Sequence, residues 1–145
     1  MKEKPKDKHP LNIVYDHLDK DEILNEKLSN YRKDDSYDYN MIFTFEIGEE
    51  YQKSELSPFL RFAPITMQQG GYSDGYDSQY YELYFSLEIF TELISQGYDL
   101  AGYIIDKYKK DLNCICYAQD LQFDEKHKLY NTFLRFKIIV EKGEF

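Results

Sequence analysis

Three histidines, two cysteines and three arginines are the side chains of this sequence best suited to chemistry. Cys114 and Cys116 stand one residue apart, so in an extended segment both thiols point to the same side. That spacing suits neither a long-loop disulfide nor a CxxC redox turn, and the pair is expected as reduced thiols packed in a strand. With His17 they offer three ligands of the kind zinc takes, but no fourth ligand is evident and Cys-x-Cys is not the spacing of ordinary zinc knuckles, so no metal is expected. His9 falls in a polar N-terminal arm and His127 in a charged loop between Lys126 and Lys128, which leaves His17 as the histidine of a packed element. Nucleophilic catalysis by a cysteine and histidine pair needs an electropositive setting, and this sequence is acidic along most of its length.

Carboxylates are the next candidates. Asp74, Asp77, Glu82 and Glu88 lie close in sequence, and two acids suffice for glycoside hydrolysis, but a sugar cleft is built on aromatic platforms and the chain has no Trp. The run from Ser73 to Asp77 holds two acids and lacks the alternating ligands and closing Glu of an EF-hand, so it is expected as a glycine-rich turn with solvated aspartates. There is no GxGxxG, no Walker loop, no GxSxG elbow and no HExxH. No cofactor and no catalytic residue are therefore expected. Arg61 and Arg135 fall in strand patterns, where a scarce arginine suits an anion clamp or pairs with a neighbouring acid.

The least random feature is electrostatic. Residues 62–106 contain no Lys, Arg or His, while Asp74, Asp77, Glu82, Glu88, Glu92, Asp99 and Asp106 are negative. Residues 34–57 repeat the bias, with Asp34, Asp35, Asp38, Glu46, Glu49, Glu50 and Glu55 against Lys53 alone. Tyr37, Tyr39, Tyr51, Tyr72, Tyr76, Tyr80, Tyr81 and Tyr84 fall in the same two stretches. Tyrosine gives large contact area with a polar tip at small entropy cost, so acid interleaved with tyrosine points to a protein-binding face. The expected partner-binding residues are Tyr72, Asp74, Tyr76, Asp77, Tyr80, Glu82 and Tyr84, on a strand face continued by a loop. The competing account is that the charge only keeps the chain soluble and the tyrosines only suit a sheet.

The elements that must position these residues follow from periodicity. Residues 1–10 are polar and proline-containing and are expected as a mobile basic arm, leaving 11–145 as a single domain. Residues 11–33 carry apolar positions at threes and fours, one or two helices broken near Asp19. Met41, Phe43, Phe45 and Ile47 alternate with Ile42, Thr44 and Glu46, a strand with one buried face ended by Gly48. Residues 58–64 suit an edge strand bracketed by Pro58 and Pro64, residues 68–78 a loop, and residues 79–87 a third strand. Phe90, Leu93 and Ile94 lead to Gly97 as the stop of a short helix, and Asp99 then caps a second one with Lys107, Lys109 and Lys110 in its last turns. Residues 112–123 and 129–141 form a hairpin with Leu134, Phe136, Ile138 and Val140 facing in. This order predicts an α+β fold, with an antiparallel sheet of about five strands and the helical segment and two short helices packed on one side.

At 145 residues and 17.5 kDa the chain is long enough for one core without staples, and 42% hydrophobic with 17% aromatic residues is too rich for intrinsic disorder. No signal peptide and no membrane-spanning stretch are recognisable, so a cytoplasmic protein is expected. A net charge of -9 disfavours nucleic acid as a direct partner and favours a basic protein, such as a toxin or a nucleic-acid-handling enzyme. The expected function is a non-catalytic inhibitor: an immunity protein or antitoxin neutralising a nuclease-like toxin, or a phage-type inhibitor blocking a nucleic-acid-binding cleft. The alternative is a small enzyme or ligand-binding domain, with a tyrosine-lined pocket holding Arg61 or Arg135 between the sheet and the helices of residues 87–111. Exposed sheet edges also leave homo-oligomerisation open.

Overall fold

The computed structural model describes residues 10–37, 40–70 and 80–141. The chain opens with two short helices, α1 (Pro10–Asp19) and α2 (Glu22–Tyr31). Pro10 begins α1, where a missing N–H costs nothing, and does not belong to the arm. The break near Asp19 is made by side chains. Asp21 caps α2 by accepting from the Ile23 N–H at 3.2 Å, and Asn25 Nδ2 donates to the carbonyls of Asp19 and Asp21 at 3.0 and 2.9 Å.

Five strands follow: β1 (Ile42–Thr44), β2 (Phe59–Gly70), β3 (Tyr80–Thr91), β4 (Ile115–Asp124) and β5 (Leu129–Glu141), in the order β1-β2-β3-β5-β4. The fold is α+β, but the sheet is mixed and not purely antiparallel, because β1 runs parallel to β2. The reason lies in residues 45–57, which carry the chain back through two 3-10 turns, Glu49–Tyr51 and Ser54–Leu56, to begin β2 in the same direction. β1 is also shorter than its alternating pattern suggests. Met41 and Phe45 have positive φ, 60° and 68°, so the strand is cut at both ends; Met41 and Ile42 are buried while Phe45 is 57% exposed.

Pro64 sits at a register shift between Pro64 and Thr66, and β1 pairs only with Leu60 to Phe62, so the proline interrupts no ladder on that side. β2 is therefore an inner strand beside β1 and an edge strand beyond it. It runs to Gly70, into residues expected as loop.

The two short helices expected around Gly97 and Asp99 are one 19-residue helix, α3 (Ile94–Leu112). Gly97 is not a stop: a Cβ there would collide with Thr132 Oγ1 on β5, so glycine marks the closest approach of helix and sheet. Asp99 is not a cap. Its carboxylate accepts from Tyr31 Oη at 2.7 Å and pairs with Lys27 Nζ at 3.2 Å, fastening α2 to α3. Asn113, in the left-handed conformation with φ 52°, ends the helix.

Leu11, Val14 and Leu18 of α1, Leu24 and Leu28 of α2, and Leu100, Ala101, Ile104 and Tyr108 of α3 join one core with the inward residues of the sheet. Phe85 stacks on Phe136 with centroids 5.2 Å apart, Tyr108 meets Phe136 edge-on at 5.2 Å, and Tyr108 Oη donates to the Val14 carbonyl at 2.6 Å. Fully burying a side chain of this size stabilises by roughly 1.5–3 kcal/mol, so these rings carry much of the stability. Leu134, Phe136 and Ile138 face in as the hairpin pattern requires. Cys114 and Cys116 also pack against this core as free thiols. Burial pushes the Cys114 thiol far up and raises Cys116 as well, which makes both poor nucleophiles. No helix among the described residues is long and apolar enough to cross a membrane.

Candidate functional site

Strand alternation fixes what lies opposite the helical core. Phe62 and Leu87 face it, so their neighbours Arg61 and Glu88, paired in register, face the other way, as do Ser86 and Arg135. One end of this second face is closed by residues 45–57. Met41, Leu56, Phe59, Phe90 and Leu129 form a smaller core there, with Phe43, Ile47 and Tyr51 against it. The segment is anchored by Arg32 at the end of α2. Arg32 is only 8% exposed, and its guanidinium donates from Nε to the Leu56 carbonyl at 2.9 Å and from a terminal nitrogen to the Pro58 carbonyl, and pairs with Asp35 at 3.3 Å. Gln52 Nε2 closes the segment on itself through the Ile47 carbonyl at 2.6 Å.

Between this segment and the sheet lies a cleft of about 360 Å³. Phe59 and Phe90, stacked 5.1 Å apart, line it with Ile47 and Phe123. Its titratable groups and Asn131 come from four strands and a turn. Arg61 and Glu88 form an ion pair across β2 and β3, with Glu88 only 7% exposed. Asn131 of β5 donates from Nδ2 to Glu88 Oε2 at 3.2 Å, while its own Oδ1, buried, has no partner. Asp124 ends β4 and its Oδ2 lies 2.7 Å from His127 Nδ1, with the Lys126 N–H donating to its other oxygen at 3.0 Å. Burial works to raise the Asp124 carboxyl, but its hydrogen bonds from His127 and Lys126 outweigh it, and the group stays below the ordinary carboxylate value.

The residues expected to bind a partner are divided. Tyr72, Asp74, Tyr76 and Asp77 lie outside the described residues, and Tyr80 is placed only through its backbone, paired with Gly70 and Glu141. Glu82 and Tyr84 do share the face opposite the helices, but they are engaged. Glu82 accepts from Tyr84 Oη at 3.0 Å and lies 3.8 Å from Lys137 Nζ, and Tyr84 packs edge-on against Tyr117 at 5.9 Å. With Arg61, Arg135 and Lys137 among them, the strand residues of this face carry both signs.

The Arg61 cleft also lies on the face away from α3, and not between sheet and helices, where Leu100, Ala101, Ile104 and Tyr108 fill the space. His17 pairs with Asp111 of α3 at 2.9 Å. No three His, Cys, Asp or Glu among the described residues come together as a metal site.

Sequence reasoning underrated residues 45–57. Glu46, Glu49, Glu50 and Glu55 are all exposed on it, and Phe45 stands out at its start. Phe45 occupies the centre of a three-residue turn closed by the Glu46 N–H on the Thr44 carbonyl at 2.8 Å, while its own N–H donates to Phe62 O at 2.7 Å. A bulky residue at positive φ costs about 1–2 kcal/mol relative to its ordinary conformations. The usable signal was the second acidic stretch itself, in which an apolar alternation is interrupted by glutamates.

Fold and site thus define a small α+β domain with one apolar, helix-covered sheet face and a second face bearing an acidic segment over a polar cleft. No protein-family model matches the chain, and no curated protein matches it.

Proposed function

We propose that this protein is a non-catalytic, acidic binder of a basic protein, an inhibitor of the immunity-protein or antitoxin kind or one that occupies a nucleic-acid-binding cleft. The observation that carries the reading is Phe45, held exposed in a left-handed turn at the head of a segment with four glutamates and one lysine. Backbone strain of this kind clusters at functional sites, where the surrounding structure maintains it. An aromatic anchor ringed by like charge is the arrangement that gives a contact its energy and its fast encounter with a partner of opposite sign. Anchorage by Arg32 presets the segment, which lowers the ordering cost of binding. The partner residues in this proposal are Phe45, Glu46, Glu49, Glu50 and Glu55, and the acidic tyrosine stretch of residues 72–84 is kept in it on its sequence alone. Cys114 and Cys116 as free thiols suit action in the cytoplasm.

The test is capture of a partner from lysate of the source cell at low and raised salt, with native chain, Phe45→Gly and the triple change Glu46→Gln, Glu49→Gln, Glu50→Gln. The expected outcome is stoichiometric capture of one basic protein, weakened by salt and lost with either variant while far-UV circular dichroism is unchanged. Capture indifferent to salt and to both variants, or recovery of further copies of the chain alone, would contradict it.

A further inference from the structure

The cleft beneath the segment holds more polar chemistry than a flat contact surface needs. Glu88 and Asn131 are each only 7% exposed, yet both line it, and the Asn131 Oδ1 acceptor is left without a donor by the protein itself. A buried acceptor in that state has lost its water without gaining a donor, and an incoming donor recovers that loss. Glu88 and Asp124 are two negative charges and Arg61 is one positive charge, so with His127 neutral the lining carries a net charge of -1. Glu88 is already ion-paired with Arg61 and accepts from Asn131, whereas Asp124 Oδ2 has only the His127 contact. Phe123 is 47% exposed at the wall and offers a ring face. Ile47 and Gln52 belong both to the cleft and to the glutamate-rich segment, so the negative field continues to its mouth.

We propose that this cleft is a socket for the guanidinium group of an arginine side chain, which donates to Asn131 Oδ1 and to the Asp124 carboxylate and lies against the Phe123 ring. Arginine fits where a point charge does not. Its planar fork reaches two acceptors at once, it stacks on aromatic faces, and it is weakly hydrated and so enters a half-apolar cleft at low cost. An anion is disfavoured, because Arg61 is neutralised by Glu88 and the remaining charge is negative. The inference rests on the reading above only for the source of the arginine, a residue of the basic partner; the socket itself is a property of this chain.

The test uses the full chain alone, titrated with N-acetyl-arginine amide and with its uncharged counterpart N-acetyl-citrulline amide, followed by amide and side-chain NMR. The expected result is saturable shifts of the Asn131 side-chain amide, Phe123 and His127 with the arginine probe, and binding about tenfold weaker or worse with citrulline, a difference of about 1.4 kcal/mol. Asn131→Leu should abolish the shifts. Because that residue is buried and the variant could lose its fold, Asp124→Asn at the surface is the second arm and should weaken the arginine probe several-fold. Absence of saturable shifts at millimolar arginine probe, equal response to citrulline, or indifference to Asp124→Asn would overturn the socket. Arginine binding with no captured protein leaves the socket standing and removes the partner reading; captured protein without arginine binding does the reverse.

Discussion

The two faces of the one sheet are built on opposite principles. Toward the helices, Leu83, Phe85, Leu87, Leu134 and Phe136 are fully buried, and the Tyr108 Oη that reaches among them has its acceptor. Toward residues 45–57 the sheet carries a half-buried ion pair, a buried asparagine with an unpaired oxygen and a partly exposed histidine–aspartate contact, beside a five-residue core. Apolar burial without polar groups is the economical way to stabilise a domain, and buried polar groups left incompletely paired cost stability. The contrast teaches that the helical face carries the apolar burial that folds the protein, while the second face holds incompletely paired polar groups at stability's expense.

Breaking the helical face should have the largest effect. Phe136→Ala removes a ring stacked on Phe85 and touched edge-on by Tyr108, and is expected to cost about 3–5 kcal/mol, read as a lower urea midpoint with an unchanged slope. Arg32→Met attacks the other face through its anchor, leaving the Leu56 and Pro58 carbonyls without a donor; a loss of about 2–4 kcal/mol is expected. If the faces are separable, amide exchange in that variant accelerates over residues 45–57 well before it does in α3. Equal acceleration in both would show the faces to be one cooperative unit.

Gly97→Ala is expected to cost about 1–3 kcal/mol by pushing α3 from β5, and Thr132→Ala in the same chain should recover part of it, since the colliding atom is the threonine hydroxyl. Acid separates the faces by a milder route. The hydrogen bond from Tyr31, with Lys27 beside it, holds Asp99 below its ordinary value, and Asp124 is also depressed. Depressed carboxyls contribute stability that is present above the ordinary carboxylate value of 3.8 and is lost as pH falls through the lower folded values. Asp99→Asn should therefore flatten the acid side of the global stability curve, whereas Asp124→Asn should act on opening of the β4–β5 turn. Smallest of all is Phe45→Gly, which relieves a left-handed turn and should leave stability unchanged or raise it by up to about 1 kcal/mol while removing partner affinity. A destabilised Phe45→Gly would make that side chain structural.

How much of this was legible in the sequence depended on periodicity. The β4–β5 hairpin, the break near Asp19 and the inward set Leu134, Phe136 and Ile138 are local patterns, and the structure has them. Gly97 and Asp99 misled because both have two physical uses. A glycine ends helices but also lets a helix touch a sheet, and an aspartate caps helices but also bridges them, and only tertiary contacts choose. Pairing of β1 parallel to β2 was hidden for the same reason, since residues 45–57 carry no regular period. The cleft was the least legible part. Arg61, Glu88, Asp124, His127 and Asn131 come from β2, β3, β4, β5 and a turn, and only strand order brings them together. Of these, Arg61 had a sequence signal in the direction of a site through its rarity, and Glu88 had one as a carboxylate of the acidic stretch.

The most direct test of the division between the faces is hydrogen exchange of the chain alone and in complex with its captured partner. Slowed exchange at residues 45–57 and at the β4–β5 turn, with α3 unchanged, is the predicted result. Slowing on α1 and α3 with residues 45–57 untouched would contradict the account and move the functional surface to the face assigned here to folding.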